Sequence, residues 1–363
     1  MKKALLMSLI AGATAVSATA ATVSEVSSPI TEGTTFVGEQ VFEGQLAIKS
    51  VLLQIGTQDG SQTGILTIKN ATNPLANGGR IQVNKGSTLY VYTGKNPGWG
   101  TASQGQRIDI YGTVETAYGT DSAQIPTDTN GYNLEVSGSG KELRVFDGGV
   151  FNFKNGSMRL NGGGIITLNK GSKTTVERVI FGGTGSKLII GANDVLSTAS
   201  GGKPSIVFGS SAKGTVDISA TTDLKLGNIQ LQGNSSLTIN LSATHGLLTV
   251  AKFDINEVEK NPFNGTESLI LNDFVNDTFK IEDTSNVEIV GDSLNITKLG
   301  ASLVRSVKLV AKDADGNTLC GENEHWEIQN GFLNIVSNIP EPAEWAAIFG
   351  GIALALALYR RRR

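Results

Sequence analysis

The 363-residue chain has one cysteine, two histidines, eight prolines and three tryptophans. With Cys320 alone, no disulfide forms within the chain, so the fold must hold by packing and backbone ladders. A lone thiol either pairs with another molecule or serves as a small apolar residue. His245 and His325 lie far apart and neither belongs to a triad-like pattern. One Cys and two distant His give no zinc spacing. No cofactor or metal is expected. Aromatics are 6% and charged residues 17% of the chain. Long apolar runs are missing everywhere except the two ends, and no helical stripe is visible from about 30 to 245.

What is present in that interval is period 2. Ile108 and Ile110 alternate with Asp109 and Tyr111, and Val114 continues the inward set past Gly112. Similar pairs are Leu89/Val91, Leu143/Val145, Ile166/Leu168, Val216/Ile218 and Leu237/Ile239/Leu241. Short alternating runs separated by Gly, Asn, Ser and Asp read as strands. Glycine supplies 45 residues, about 12% against a usual 7% or so. A loose repeat recurs between the runs: Asn84-Lys85-Gly86-Ser87, Lys154-Asn155-Gly156-Ser157, Asn169-Lys170-Gly171-Ser172, Gly183-Thr184-Gly185-Ser186 and, more weakly, Gln232-Gly233-Asn234-Ser235. Each reads as a corner, where Gly or Asn takes positive φ and an aliphatic residue then turns inward. The 14–15 residue spacing around Gly156, Gly171 and Gly185 suits half-to-full turns of a β-solenoid. Over about residues 30–245 the pattern resembles the β-helical passenger region of autotransporter-type surface proteins. Tandem β-sandwiches are the rival, because Asp59-Gly60 and Asp315-Gly316 are good two-residue hairpin turns.

From about His245 the composition changes. Phe253, Phe263, Phe274 and Phe279 appear among more acids, and strands then return at Val287/Ile289, Leu294/Ile296, Val307/Leu309, Trp326/Ile328 and Leu333/Ile335. The expected organisation is a signal peptide over 1–20, an all-β solenoid body over 21–245, a capping β-region over 246–338 and a C-terminal sorting segment over 339–363.

Met1-Lys2-Lys3 precedes an apolar run from Ala4 to Val16, and Ser17-Ala18-Thr19-Ala20 follows. A positive start, an apolar run and a small-x-small site define a secretory signal peptide, with Ala18 and Ala20 placing cleavage by signal peptidase after Ala20. At the other end Pro340-Glu341-Pro342 precedes an uncharged run from Trp345 to Tyr359, and Arg360, Arg361, Arg362 and Arg363 close the chain. Fifteen helical residues reach about 22 Å, against a hydrocarbon core of about 30 Å. Snorkelling arginines and the interfacial Trp345 and Tyr359 are expected to cover the difference, giving a transmembrane helix with its arginines inside.

These three elements, in this order over about 25 of the 363 residues, resemble the PEP-CTERM sorting domain. The resemblance implies recognition by an exosortase, a membrane-embedded, cysteine transpeptidase-like enzyme of Gram-negative bacteria. It further implies removal of the tail near Pro340-Glu341-Pro342, a membrane-held intermediate, and delivery of the body to the outer surface, often among exopolysaccharide. A plain stop-transfer anchor would share the helix and arginines without needing the motif.

The body over 21–340 carries 24 basic and 31 acidic residues, a net charge of −7. That argues against nucleic acid, anionic membrane surfaces and extended polyanionic glycans as partners, local basic patches aside. Enzymes on β-helices need clustered carboxylates or a catalytic base, and glycoside hydrolysis needs two carboxylates at a set separation. Here Asp121, Asp128 and Asp147 are scattered as turn residues. Asp313-Ala314-Asp315-Gly316-Asn317 resembles part of a calcium loop, but its Gly falls at the wrong position, and a hairpin turn explains it better. Tyr90, Tyr92, Tyr111, Tyr118 and Tyr132 cluster in sequence around Trp99. Exposed rings of this kind suit stacking on sugar faces, so Tyr90, Tyr92 and Trp99 are candidate contacts for an exopolysaccharide or host glycan. The reading reached is a non-enzymatic, structural or adhesin-like surface protein. A glycan-binding module and a carbohydrate-active β-helix enzyme are the alternatives.

Overall fold

The computed structural model describes residues 21–23, 32–43, 46–48, 51–71, 75–76, 79–93, 107–118, 133–242, 246–255, 267–298, 303–338 and 342–361. The signal-peptide residues Ala18 and Ala20 lie outside this set. Among the described residues the chain is all-β apart from one C-terminal helix.

The winding is clear in a single coil. Ile165–Leu168 forms a strand, the chain turns through Asn169-Lys170-Gly171-Ser172, and Lys173–Phe181 runs on in a second sheet. It then returns through Gly182 and Gly183 to Thr184–Ile190, which lies beside Ile165–Leu168 in parallel. Repeating this step builds one sheet of thirteen strands and one of fifteen. Leu143, Ile166 and Leu188 sit in register 23 and 22 residues apart, one coil each. The chain is a β-solenoid, and parallel pairing over most of its length rules out tandem sandwiches.

The inward halves of the alternating strands stack into apolar rows. Leu53, Ile81, Ile108, Leu143, Ile166, Leu188, Val216, Ile239 and Leu271 occupy one row, all buried. Met158, Val179, Ile206, Ile229 and Phe253 form a facing row in the other sheet. Phe181 and Phe208, one coil apart, stack with ring centroids 4.4 Å apart. Each coil thus buries a thin stripe against its neighbours, which is why short strands suffice.

Most of the repeat sequences are corners, as expected: Gly86, Gly171, Gly185 and Asn234 all take positive φ. Lys154-Asn155-Gly156-Ser157 is not one. It lies inside the continuous strand Val150–Asn161, where pairing with the next coil shifts register between Phe153 and Ser157. Gly156 is needed there for a different reason: a Cβ would sit 2.5 Å from the Phe153 ring.

Parallel pairing continues past residue 245. Leu248–Ile255 adds to Leu224–Leu231, Ser268–Asn272 to Ser236–Leu241, and Val304–Lys312 to Ser268–Asn272. Phe253, Phe274 and Phe279 are buried, and Phe274 meets Trp326 edge to face at 5.4 Å; Phe263 lies outside the described residues. The stack then changes hand of pairing. Val287–Val290, Ser293–Thr297 and Val304–Lys312 are antiparallel, as are Glu324–Gln329 and Phe332–Ser337. Both sheets end on these hairpins, whose short, charge-bearing outer strands discourage further pairing.

Pro342–Arg361 is helical, and its described side chains, 346–361, are exposed. The expectation of a transmembrane helix is corrected here: among the described residues no helix is long and apolar enough to cross a membrane. The physical reason is length. The uncharged stretch Trp345–Tyr359 reaches only about 22 Å, while Glu344, Arg360 and Arg361 fall inside the same helix.

Candidate functional site

The residues singled out from sequence fall in three places. Pro342 is the first helical residue, a position that tolerates its missing N–H. Pro340 and Glu341 precede it outside the described residues. Tyr359, Arg360 and Arg361 are exposed at the helix end, and Arg362 and Arg363 lie beyond the described set; of Trp345 only the helical backbone is described. Tyr90 and Tyr92 belong to the strand Thr88–Thr93, two residues apart and so on one face, opposite to the buried Leu89 and Val91. Tyr90 is half-buried, the side chain of Tyr92 is outside the described residues, and so is Trp99. Tyr111 does not join them. It sits at a corner and stacks on Phe146 at 4.1 Å, with the Arg144 guanidinium 4.9 Å over the Phe146 ring.

The candidate chemical residues act mainly as turn formers. Asp313 Oδ1 accepts from the backbone N–H groups of Asp315 and Asn317 at 3.0 and 2.8 Å, closing the hairpin turn at Gly316. Asp59 Oδ1 accepts from Ser61 N and Oγ at 3.0 and 2.8 Å, and bonds of this kind to Thr57 and Ser61 hold its carboxyl down at about 2. Asp283 and Asp313 are lowered for the same reason, by Ser285 and Asn317 respectively. A general acid needs the opposite shift. Burial pushes the Cys320 thiol up, with Asp292 and Glu324 adding to it, and Cys320 is half-buried against the core at φ +70°. His325 is exposed on the strand Glu324–Gln329, and His245, Asp121 and Asp128 lie outside the described residues. Among the described residues no group of three or more His, Cys, Asp or Glu could hold a metal ion.

Two clusters on the outward faces escaped the sequence reading. On the thirteen-strand sheet, Gln82, Asp109 and Arg144 occupy one row on successive coils. Asp109 is fully buried and meets Arg80 at 2.6 Å, Arg107 at 3.1 Å and Arg144 at 2.7 Å. Gln82 accepts from Arg80 and donates to Asn84, whose amide donates to the Gly56 carbonyl. Farther along the same row Asn240 donates to Asp217, and Asn272 donates to Asn240 at 2.8 Å. The bonds of Arg80 and Arg144 to Asp109, of Asn84 to Gly56 and of the Asp217–Asn240–Asn272 series cross from coil to coil, while those of Gln82 stay within its own strand.

The fifteen-strand sheet carries a cavity of about 330 Å³. Arg159, Ile180, Val207 and Gln230 form its row, one from each of four successive coils. Arg178 flanks it on one side, and Gly182, Gly209 and Gln232 on the other. The Arg159 guanidinium lies over Gly182, where a Cβ would approach its Nε to 2.9 Å. That Nε is buried and has no hydrogen-bond partner. No ion pair involves Arg159 or Arg178 among the described residues. Glu135, the register neighbour of Arg159, instead accepts from Asn161 at 3.2 Å and interacts with Lys141. The sequence signal was faint: Arg159 and Arg178 each follow an inward aliphatic by alternation, yet only coil register brings them to one hollow. Compared with known protein families and with curated proteins, the chain matches neither.

Proposed function

We propose that this chain is a non-enzymatic surface protein, exported through an N-terminal signal peptide and sorted by an exosortase-type enzyme that reads Pro340-Glu341-Pro342. Its solenoid acts as a structural or adhesive body at the cell surface or in an extracellular matrix. The observation that carries this is the order at the C-terminus. Antiparallel hairpins close the stack, and the chain then enters a helix that opens on Pro342 and ends on Arg360 and Arg361. Ile348, Ile352, Leu354, Leu356 and Leu358 on that helix are all about half exposed or more. So many exposed aliphatic side chains on one helix are costly in water, which suits a segment handled by processing enzymes and then removed. The solenoid body supports the structural part of the reading: several of its outward polar residues, Asp109, Asp217 and Asn240 among them, bond from coil to coil.

The deciding experiment is the intact mass of the mature protein taken from cells. The expected species begins at Ala21 and ends near Pro340-Glu341-Pro342. A mature protein that keeps its arginine tail would overturn the exosortase reading.

A further inference from the structure

We infer that the cavity around Arg159 binds a single acidic sugar unit, a compact ring bearing one carboxylate and several hydroxyls. The inference does not rest on the sorting signal.

Charge is the first argument. Arg159 is held with a buried Nε that finds no acceptor, although buried donors are nearly always paired. Arg178 stands beside it, also without an ion pair among the described residues. Two guanidinium forks on one hollow match the planar, bidentate acceptor geometry of a carboxylate. The nearest acids do not supply it. Glu135 serves Asn161 and Lys141, and Asp254 accepts from Gln230 at 3.4 Å and from Ile255 N.

The rest of the lining describes the remainder of the ligand. Ile180 and Val207 form an apolar floor between the arginines and Gln230, suited to the C–H face of a pyranose. Gln230 and Gln232 offer amide donors and acceptors at the far side, suited to hydroxyls. Gly182 and Gly209 leave the depth. Small-molecule sites begin at about 300 Å³, so the hollow takes a sugar unit rather than a length of polymer. The acids at either end, Glu135 and Asp254, and the net −7 of the body repel a ligand carrying charge on every ring.

The test is calorimetric titration of the full chain in mild detergent at pH 7. The ligands are methyl β-D-glucuronide, methyl β-D-glucoside and sodium sulfate. The glucuronide is expected to bind saturably and at least tenfold more tightly than either of the others. Arg159→Gln should weaken it at least tenfold, and Arg178→Gln, an exposed position that leaves the fold untouched, at least threefold. Absence of saturable heat with the glucuronide overturns the proposal. So does equal binding of sulfate, which would mark an anion hole without sugar recognition, or full affinity in both arginine variants.

Discussion

On the thirteen-strand face, Arg80, Arg107 and Arg144 close around one carboxylate that water does not reach. On the fifteen-strand face, Arg159 and Arg178 line a hollow and close on nothing within the described chain. The backbone beneath is the same parallel ladder in both places, so strand geometry does not account for the difference. Composition of the rows does. In the first row Asp109 lies beside Arg144, with Arg80 and Arg107 two residues away along the strands; in the second, Arg159 has Ile180 on one side, and Glu135 on the other serves Asn161 and Lys141. Saturated arginines stiffen a stack, whereas unsaturated ones beside a cavity have capacity left for a ligand.

The comparison breaks most directly at Asp109. Asp109→Ala leaves three guanidinium groups on successive coils with Glu142, 3.7 Å from Arg107 and 3.9 Å from Arg144, as the remaining carboxylate. Removing one partner of a buried pair typically costs about 3–5 kcal/mol. The arginines reach water in part, which places the expected loss near the lower end, about 3 kcal/mol, read as a shift of the urea midpoint. A loss under about 1 kcal/mol would mean that the cluster is decorative. Arg159→Gln should behave oppositely and change stability by no more than about 0.5 kcal/mol in either direction; a large loss would show that its charge serves the fold.

The smallest effect sharpens the contrast with a third way of satisfying charge, by a turn's own hydrogen bonds. In the folded turn Asp59 is held below its ordinary value and reaches half protonation only at about pH 2. A carboxyl lowered in this way stabilises above the unfolded value near pH 4, and its contribution fades as pH falls towards 2. The protection factor of the Ser61 amide, which donates to Asp59, should therefore hold at pH 4 and fall between pH 3 and 2. Asp59→Asn should remove that pH dependence.

Much of the fold was legible because β-solenoids write their geometry locally. Alternation at Ile108/Ile110 gave inward rows, and Asn169-Lys170-Gly171-Ser172 gave a corner that the structure contains. Gly156 misled because the same letters serve two ends: relief of a left-handed backbone at Gly171, relief of contact with Phe153 at Gly156. The helix after Pro342 was legible in its start and end, but its reach was overrated, since interfacial side chains do not lengthen a 15-residue apolar stretch. Of the Tyr cluster, Tyr90 and Tyr92 share one strand face, Tyr111 turned to Phe146 at a corner, and Trp99 lies outside the described residues. The arginine hollow was invisible for the converse reason. Arg159 and Gln230 lie three coils apart along the chain, and no local pattern says that their rows coincide.

The closing hairpin at the C-terminal end also has a mechanical meaning. Phe332–Ser337 is the last strand before the chain leaves the body, and it joins the parallel stack through one register pair, Lys280↔Phe332, and through side-chain hydrogen bonds with Asn276 and Asp277. Tension applied beyond Asn338 therefore reaches this hairpin first, and only then the coils, each held by its two neighbours. Such a body yields by peeling rather than by snapping. A coil of 23 residues, like that from Leu143 to Ile166, pays out roughly 80 Å of chain when it lets go, so a firmly tethered molecule would lengthen in a succession of small slips and absorb a pull that would shear a globular domain at once.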